Sequence, residues 1–227
     1  MLTLAATLSP QHSRRNTLAA TLSPQHSRRN TLAATLGILF LWFALHPVAF
    51  GKQVEIPEHT KKWNAFPDCA LIDQKYNDGD SFRVKVNGHE QVLRLCFVDC
   101  PEGDSRFADR NKDQAEYFGV PPAEIPEWGK AATAKIGELL AKSFTVHTRW
   151  AKAQGSSGLP RFYAVIKCAD GKDLGETLVS LGLARVKGLP MKPPTGESVA
   201  DYQAKLQKLE TEARTQRVGI WAKSSKK

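Results

Sequence analysis

From Ser81 to Val86 the chain alternates, with Phe82, Val84 and Val86 on one side and Arg83 and Lys85 on the other. That period of two is the mark of a half-buried strand. Asn87-Gly88 follows, and this pair suits a two-residue hairpin turn because both central residues take positive φ. A returning strand is predicted from about His89 to Val98, with Leu93, Leu95 and Phe97 on one face. The turn fixes the register: Val86 lies opposite His89, Ser81 opposite Arg94, and Asp80 comes to rest beside Arg94.

Further along, the pattern changes period. Pro126 opens a predicted helix reaching about Ala141, with Ala132, Ile136, Leu139 and Leu140 on one face. Two strands follow, near Phe144–Thr148 and Arg161–Cys168, joined by the Gly/Ser-containing segment Gln154–Pro160. Leu174, Leu178 and Leu181 mark a short helix ended by Gly182, and a last helix spans roughly Val199–Arg217 with Tyr202, Leu206, Leu209 and Ala213 as its buried stripe. Asp104–Glu124 is polar, contains Pro121-Pro122 and reads as a long loop; Lys187–Gly196 is a Pro/Lys-rich loop.

Before this body, residues 3–16 (TLAATLSPQHSRRN) recur unchanged at 17–30, and a third copy breaks off after Leu36. Repeats of a solenoid vary at exposed positions, so this one reads as a duplication without a structural role. The apolar run Leu32–Leu45 is shorter than the ~20 residues a bilayer span needs. It suits the core of a signal peptide behind a basic segment, with cleavage after Gly51; an uncleaved anchor is the alternative. The expected organisation is therefore residues 1–51 as repeat and signal peptide or anchor, 52–62 as linker, 63–222 as the functional domain, and 223–227 as a basic tail. An exported, periplasmic or extracellular protein is expected.

Composition adds a partner class. The 227 residues carry a formal net charge of +9. Residues 1–51 hold four arginines and no acid, which leaves a surplus of +5 on the rest. A basic surplus suits a polyanion. The four cysteines, Cys69, Cys96, Cys100 and Cys168, form no C-x-x-C pair, which speaks against structural zinc. In an exported protein, one or two disulfides become possible.

The candidate chemistry lies at one end of the hairpin. Asp78-Gly79-Asp80 precedes the first strand and Asp99-Cys100-Pro101-Glu102 follows the second. Asp80 neighbours Arg94, and Asp99 and Glu102 lie just past the same strand. Clustered carboxylates repel unless a cation or protons neutralise them. Oxygen donors alone suit calcium or magnesium, and an adjacent guanidinium suits a shared phosphate. Metal and arginine together are what in-line attack on phosphorus requires. The same arrangement also serves as an Arg–Asp ion pair stapling the sheet.

These residues resemble the staphylococcal-nuclease-like (thermonuclease) family. The resemblance runs through Asp78-Gly79-Asp80-Ser81, Arg94-Leu95, Val98-Asp99-Cys100-Pro101-Glu102, Arg161 with Ala164, Gly171, Leu178-Val179, Gly182-Leu183-Ala184-Arg185, Leu209-Glu210, Ala213 and Gly219-Ile220-Trp221. It implies an α+β fold, a five-stranded OB-type β-barrel with three α-helices. It also implies a calcium-dependent endonuclease cleaving DNA and RNA to leave 3′-phosphates. Asp80, Asp99 and the backbone carbonyl of Cys100 would hold calcium, with Asp78 close by. Glu102 would orient or deprotonate water, and Arg94 and Arg161 would grip the phosphate. Ser81, Arg106, Arg110 and Lys112 are candidate substrate contacts; the last three lie in the 104–124 stretch, which is longer than in the family's founding member. Cys100 stands where threonine is usual, and Gly158-Leu159-Pro160 replaces a Tyr-Gly pair before Arg161. No obligate protein partner is implied, and a monomer is expected. The alternative is a catalytically silent OB-fold module binding nucleic acid or protein.

Overall fold

Five strands close into a barrel in the order β1-β2-β3-β5-β4. This is seen in a computed structural model that describes residues 57–155 and 159–226. The N-terminal repeat, the apolar run, the cleavage position after Gly51 and the start of the linker lie outside the described residues. So does the centre of the Gly/Ser segment before Arg161.

The hairpin of β2 (Ser81–Val86) and β3 (His89–Leu95) has the expected register, from Val86 opposite His89 to Ser81 opposite Arg94. Asn87 and Gly88 have φ of 47° and 82°, as the turn demands. β3 stops at Leu95, earlier than the predicted Val98, because Phe97 takes a φ of 65° and turns the chain out of the ladder. β1 (Asn64–Leu71) has no clear sequence alternation, and the reason is local. Its register with β4 (Phe144–Lys152) shifts between Phe66 and Cys69, where Pro67 and Asp68 sit and Asp68 has a φ of 56°. A bulge accommodates a proline that a regular ladder would exclude. β5 (Arg161–Lys167) closes the barrel, antiparallel to β4 and parallel to β3, with Val92 opposite Arg161.

Among the described residues four α-helices surround the barrel, one more than the resemblance implied. The extra one is α1 (Ala108–Phe118), within the stretch read as a loop; a 3-10 turn at Pro122–Glu124 leads from it into α2 (Ile125–Leu139). The loop reading of Asp104–Glu124 is thus corrected. α1 ends where Gly119 adopts the left-handed conformation and donates its N–H to the Ala115 carbonyl. α3 (Leu174–Ser180) and α4 (Val199–Thr215) begin with the side chains of Asp173 and Ser198, which accept hydrogen bonds from the amides of Glu176 and Asp201.

Phe82, Leu93, Leu95, Phe162 and Ile166 fill the barrel interior, with Ile136, Leu174 and Leu178 from the helices packed onto it. A second apolar cluster joins Ala115 and Phe118 of α1 to Ile125, Ala213, Ile220 and Trp221. α1 is therefore anchored to the C-terminal end of the domain. All four cysteines are buried and free, so the disulfides allowed by export do not form here.

Candidate active site

The acids arrive from two loops at the end of the β2–β3 hairpin. Asp78 and Ser81 exchange backbone hydrogen bonds, closing a tight turn around Gly79 and Asp80. There is no room there for a side chain at position 79: a Cβ would stand 2.7 Å from Ala132 Cβ and 2.8 Å from Cys100 Cβ. Helix α2 and the second acid loop thus press directly on the first. Asp99 is tied into the fold by reciprocal backbone hydrogen bonds with Arg185.

Arg94 is the hub expected from the register. Its Nη2 lies 3.0 Å from Asp80 Oδ2 and 3.1 Å from Asp99 Oδ1. Asp80 is fully buried, and its Oδ2 also accepts the Cys100 amide at 3.2 Å. Arg110, from α1, adds a second guanidinium: Nη2 is 2.8 Å from Asp99 Oδ1 and Nε is 3.2 Å from Glu102 Oε2. Arg161 enters from the start of β5, near enough to feel the charges of Arg94, Asp80, Asp78 and Arg110. Its buried Nε has no hydrogen-bond partner. Asp78, Asp80, Asp99, Glu102, Arg94, Arg110 and Arg161 therefore gather at one place.

The remaining candidates do not all join them. Arg106 is exposed and paired to Asp104 at 2.8 Å through Nε. Lys112 lies two residues beyond Arg110, on the opposite side of α1, where it borders a surface cavity with Pro121, Pro122 and Lys223. Ser81 is buried, and its backbone closes the Asp78 turn. Two contributors had no role assigned from the sequence: Gln114 carried no signal, and Arg185 stood only within the family motif. Gln114 of α1 donates to Asp99 Oδ2 (3.1 Å) and the Cys100 carbonyl (2.7 Å). Arg185 donates from Nε to Asp99 Oδ2 at 2.8 Å and from Nη2 to Asp113 Oδ2 at 2.6 Å.

The electrostatics separate the acids. Burial, then repulsion from Glu102, pushes the Asp78 carboxyl up to about 6. Burial pushes Asp80 up to about 7 against the pull of Arg94. Glu102 is also raised, chiefly by burial. Burial acts on Asp99 in the same sense, yet Arg110, Arg185 and the Gln114 amide together hold it below the usual carboxylate range. The Cys100 thiol is raised well above normal by burial and the surrounding acids, which keeps it protonated at neutral pH.

Among the described residues, no group of three or more His, Cys, Asp or Glu side chains closes into a ready metal cage. Guanidinium groups stand between the carboxylates instead. The donor chemistry nevertheless fits a hard divalent cation: the acids offer only oxygen, and Asp80 Oδ1 is buried without any hydrogen-bond partner. The raised carboxyls of Asp78 and Asp80 reflect their burial first and the neighbouring acids after it.

A family model described as "Staphylococcal nuclease homologue" matches residues 92–223. Two curated relatives from Bacillus subtilis (strain 168) align over 147 residues, 65% of this chain. The SPbeta prophage-derived endonuclease YokF is 27% identical, with 42% of its length covered. The endonuclease YncB is 28% identical, with 59% covered. The chain thus spans about half the length of these relatives.

Proposed function

The chain belongs to the staphylococcal nuclease family, and on that premise we propose that it is an endonuclease hydrolysing phosphodiester bonds of DNA and RNA with the help of a divalent cation, calcium by the family resemblance. The observation that carries this reading is the convergence of Asp80, Asp99 and Glu102 with Arg94 and Arg110, within 3.2 Å of one another's charged atoms along the chain of contacts. An Arg–Asp staple alone has no use for this many buried acids with three guanidinium groups beside them.

In the proposed reaction, Arg94 and Arg161 bind the non-bridging oxygens of the scissile phosphate. A planar guanidinium offers them paired donors and offsets charge as it grows in the transition state. Arg110 can make the same contact from the α1 side. Glu102, with its proton affinity raised by burial, accepts a proton from water as the water oxygen bonds to phosphorus. The phosphorus–O5′ bond breaks, and the departing oxygen takes up a proton. Asp80, Asp99 and the Cys100 carbonyl are the groups that would hold the cation, with Asp78 beside them; when bound it would supply Lewis-acid polarisation and charge neutralisation.

We further propose that residues 63–222 form the nuclease domain of an exported, monomeric protein. The apolar run before Gly51 behind paired arginines supports export. The central test is digestion of single-stranded DNA and of RNA by the purified protein in calcium, with and without excess chelator. Cleavage in calcium that stops in chelator is expected; undiminished cleavage in chelator would overturn the metal requirement.

A further inference from the structure

β3 ends at Leu95, so the backbone of the Cys100–Glu102 segment has no strand partner to satisfy its polar groups. Side chains do this instead. The Cys100 amide goes to Asp80, while the Cys100 carbonyl and the Glu102 amide both go to one residue, Gln114. Gln114 has no exposure to solvent. Its Nε2 donates to the Cys100 carbonyl at 2.7 Å and to Asp99 Oδ2 at 3.1 Å, and its Oε1 accepts from the Glu102 amide at 2.7 Å. The partners leave only one orientation for the amide. Rotated by half a turn, Oε1 would face two acceptors and the NH2 group would face a donor.

Gln114 belongs to a polar face of α1. Arg110, Asp113, Gln114 and Tyr117 are spaced i, i+3, i+4 and i+7, which places them on one side of a helix. Each meets the site or its supports. Arg110 pairs with Asp99 and Glu102, and Asp113 with Arg185. The Tyr117 hydroxyl donates to Glu210, which accepts the Val186 amide. Ala115 and Phe118, on the other side, fix the helix in the second apolar cluster.

We propose that Gln114 is a positioning residue for phosphodiester cleavage, setting the relation between the Cys100 carbonyl, the Asp99 carboxylate and the Glu102 backbone through one buried amide. This rests on the nuclease reading. It makes α1 a working part of the site, since the helix holds the cation-facing groups and the water-activating acid in one frame.

The test compares Gln114→Met, an apolar residue of similar length, and Gln114→Glu, of the same shape, with Asn111→Ala in the full-length protein. Asn111 lies on the same helix and donates to the Asp104 carbonyl, outside the acid cluster. Calcium affinity is read by calorimetry, kcat and KM on a single-stranded oligodeoxynucleotide, and amide exchange over residues 99–103. Both Gln114 variants should lose roughly 10–100-fold in calcium affinity and kcat, the usual effect of removing a partner that orients metal ligands. Their KM should be unchanged and exchange at 99–103 faster. Asn111→Ala should melt at a lower temperature with calcium affinity and kcat preserved. A folded Gln114→Met protein with unaltered affinity and kcat would overturn the inference while leaving the nuclease reading intact, and so would equal losses in Asn111→Ala. If Gln114→Met does not fold, Gln114→Glu decides by the same readouts. An unsubstituted protein that neither binds calcium nor cuts would overturn the nuclease reading, and the inference with it.

Discussion

In the proposed reaction Arg94 is the residue on which the chemistry turns, and its dual contact makes its effects separable. It holds Asp80 and Asp99 at 3.0 and 3.1 Å, and its guanidinium is largely buried. Arg94→Ala should reduce kcat by at least ~100-fold, as loss of a preorganised transition-state donor does. Arg94→Lys should recover little of it, because an ammonium keeps the charge and loses the planar set of donors that, beyond the Nη2 engaged with both acids, would meet the phosphate. A change confined to KM in single-turnover and steady-state assays would remove Arg94 from the transition state. Asp78 and Asp80 govern the pH response. Their folded-state values of about 6 and about 7 lie above the ordinary carboxylate range, so the folded protein binds more protons than the unfolded chain across the interval between. Stability in chelator should therefore fall as pH rises from about 4 to about 7 and level off above that. Calcium should restore it at the alkaline end by binding only the folded state. Melting curves across that range, with chelator and with calcium, check both signs.

At the scale of elements, α2 and the acid loop are in contact with no atom to spare. A Cβ at Gly129 would stand 2.4 Å from the Gly103 amide nitrogen and 2.5 Å from the Glu102 carbonyl carbon. Gly129→Ala should push α2 off the loop, at about 1–3 kcal/mol of stability, and should lower kcat because Glu102 moves with its backbone. Gly137, two turns along the same helix, has nothing within 4 Å. Gly137→Ala should stabilise by up to about 1 kcal/mol through helix propensity alone, with kcat unchanged. Denaturant melts and initial rates on the two variants test this contrast. The same scale explains what the sequence made legible. The β2–β3 hairpin obeys a two-residue period and a turn with one register, so the neighbourhood of Asp80, Arg94, Asp99 and Glu102 could be derived before any coordinates. β1 was hidden by Pro67 and Asp68 at its bulge. α1 was hidden for a different reason: its buried residues are Asn111, Gln114, Ala115 and Phe118, so polar side chains take half of the positions that an apolar stripe would fill and the hydrophobic period is too weak to read. Gln114 was lost with it. Arg161 was reached only through the family resemblance, because a lone arginine at a strand start carries no pattern of its own.

Over the whole molecule, the question is whether nucleic acid is gripped by the site or by overall basicity. The surplus of +5 carried by the residues after Gly51 would by itself draw a polyanion without selecting a site. The three arginines near the acids make a narrower claim. On a single strand each phosphate contact contributes about 0.7 to the slope of log affinity against log salt, so three contacts correspond to a slope of about −2. Oligodeoxynucleotide affinity, measured at fixed calcium over a range of sodium chloride, should show that slope. Arg110→Ala should reduce its magnitude by about 0.7, the share of one contact. Lys226→Ala, whose Nζ lies beside the Tyr117 carbonyl rather than the acid cluster, should leave it alone. A much steeper slope, equally indifferent to both substitutions, would mean that diffuse charge does the binding. The arginines would then act on the phosphate only after it has arrived, and the helix that carries Arg110 would serve cleavage without serving capture.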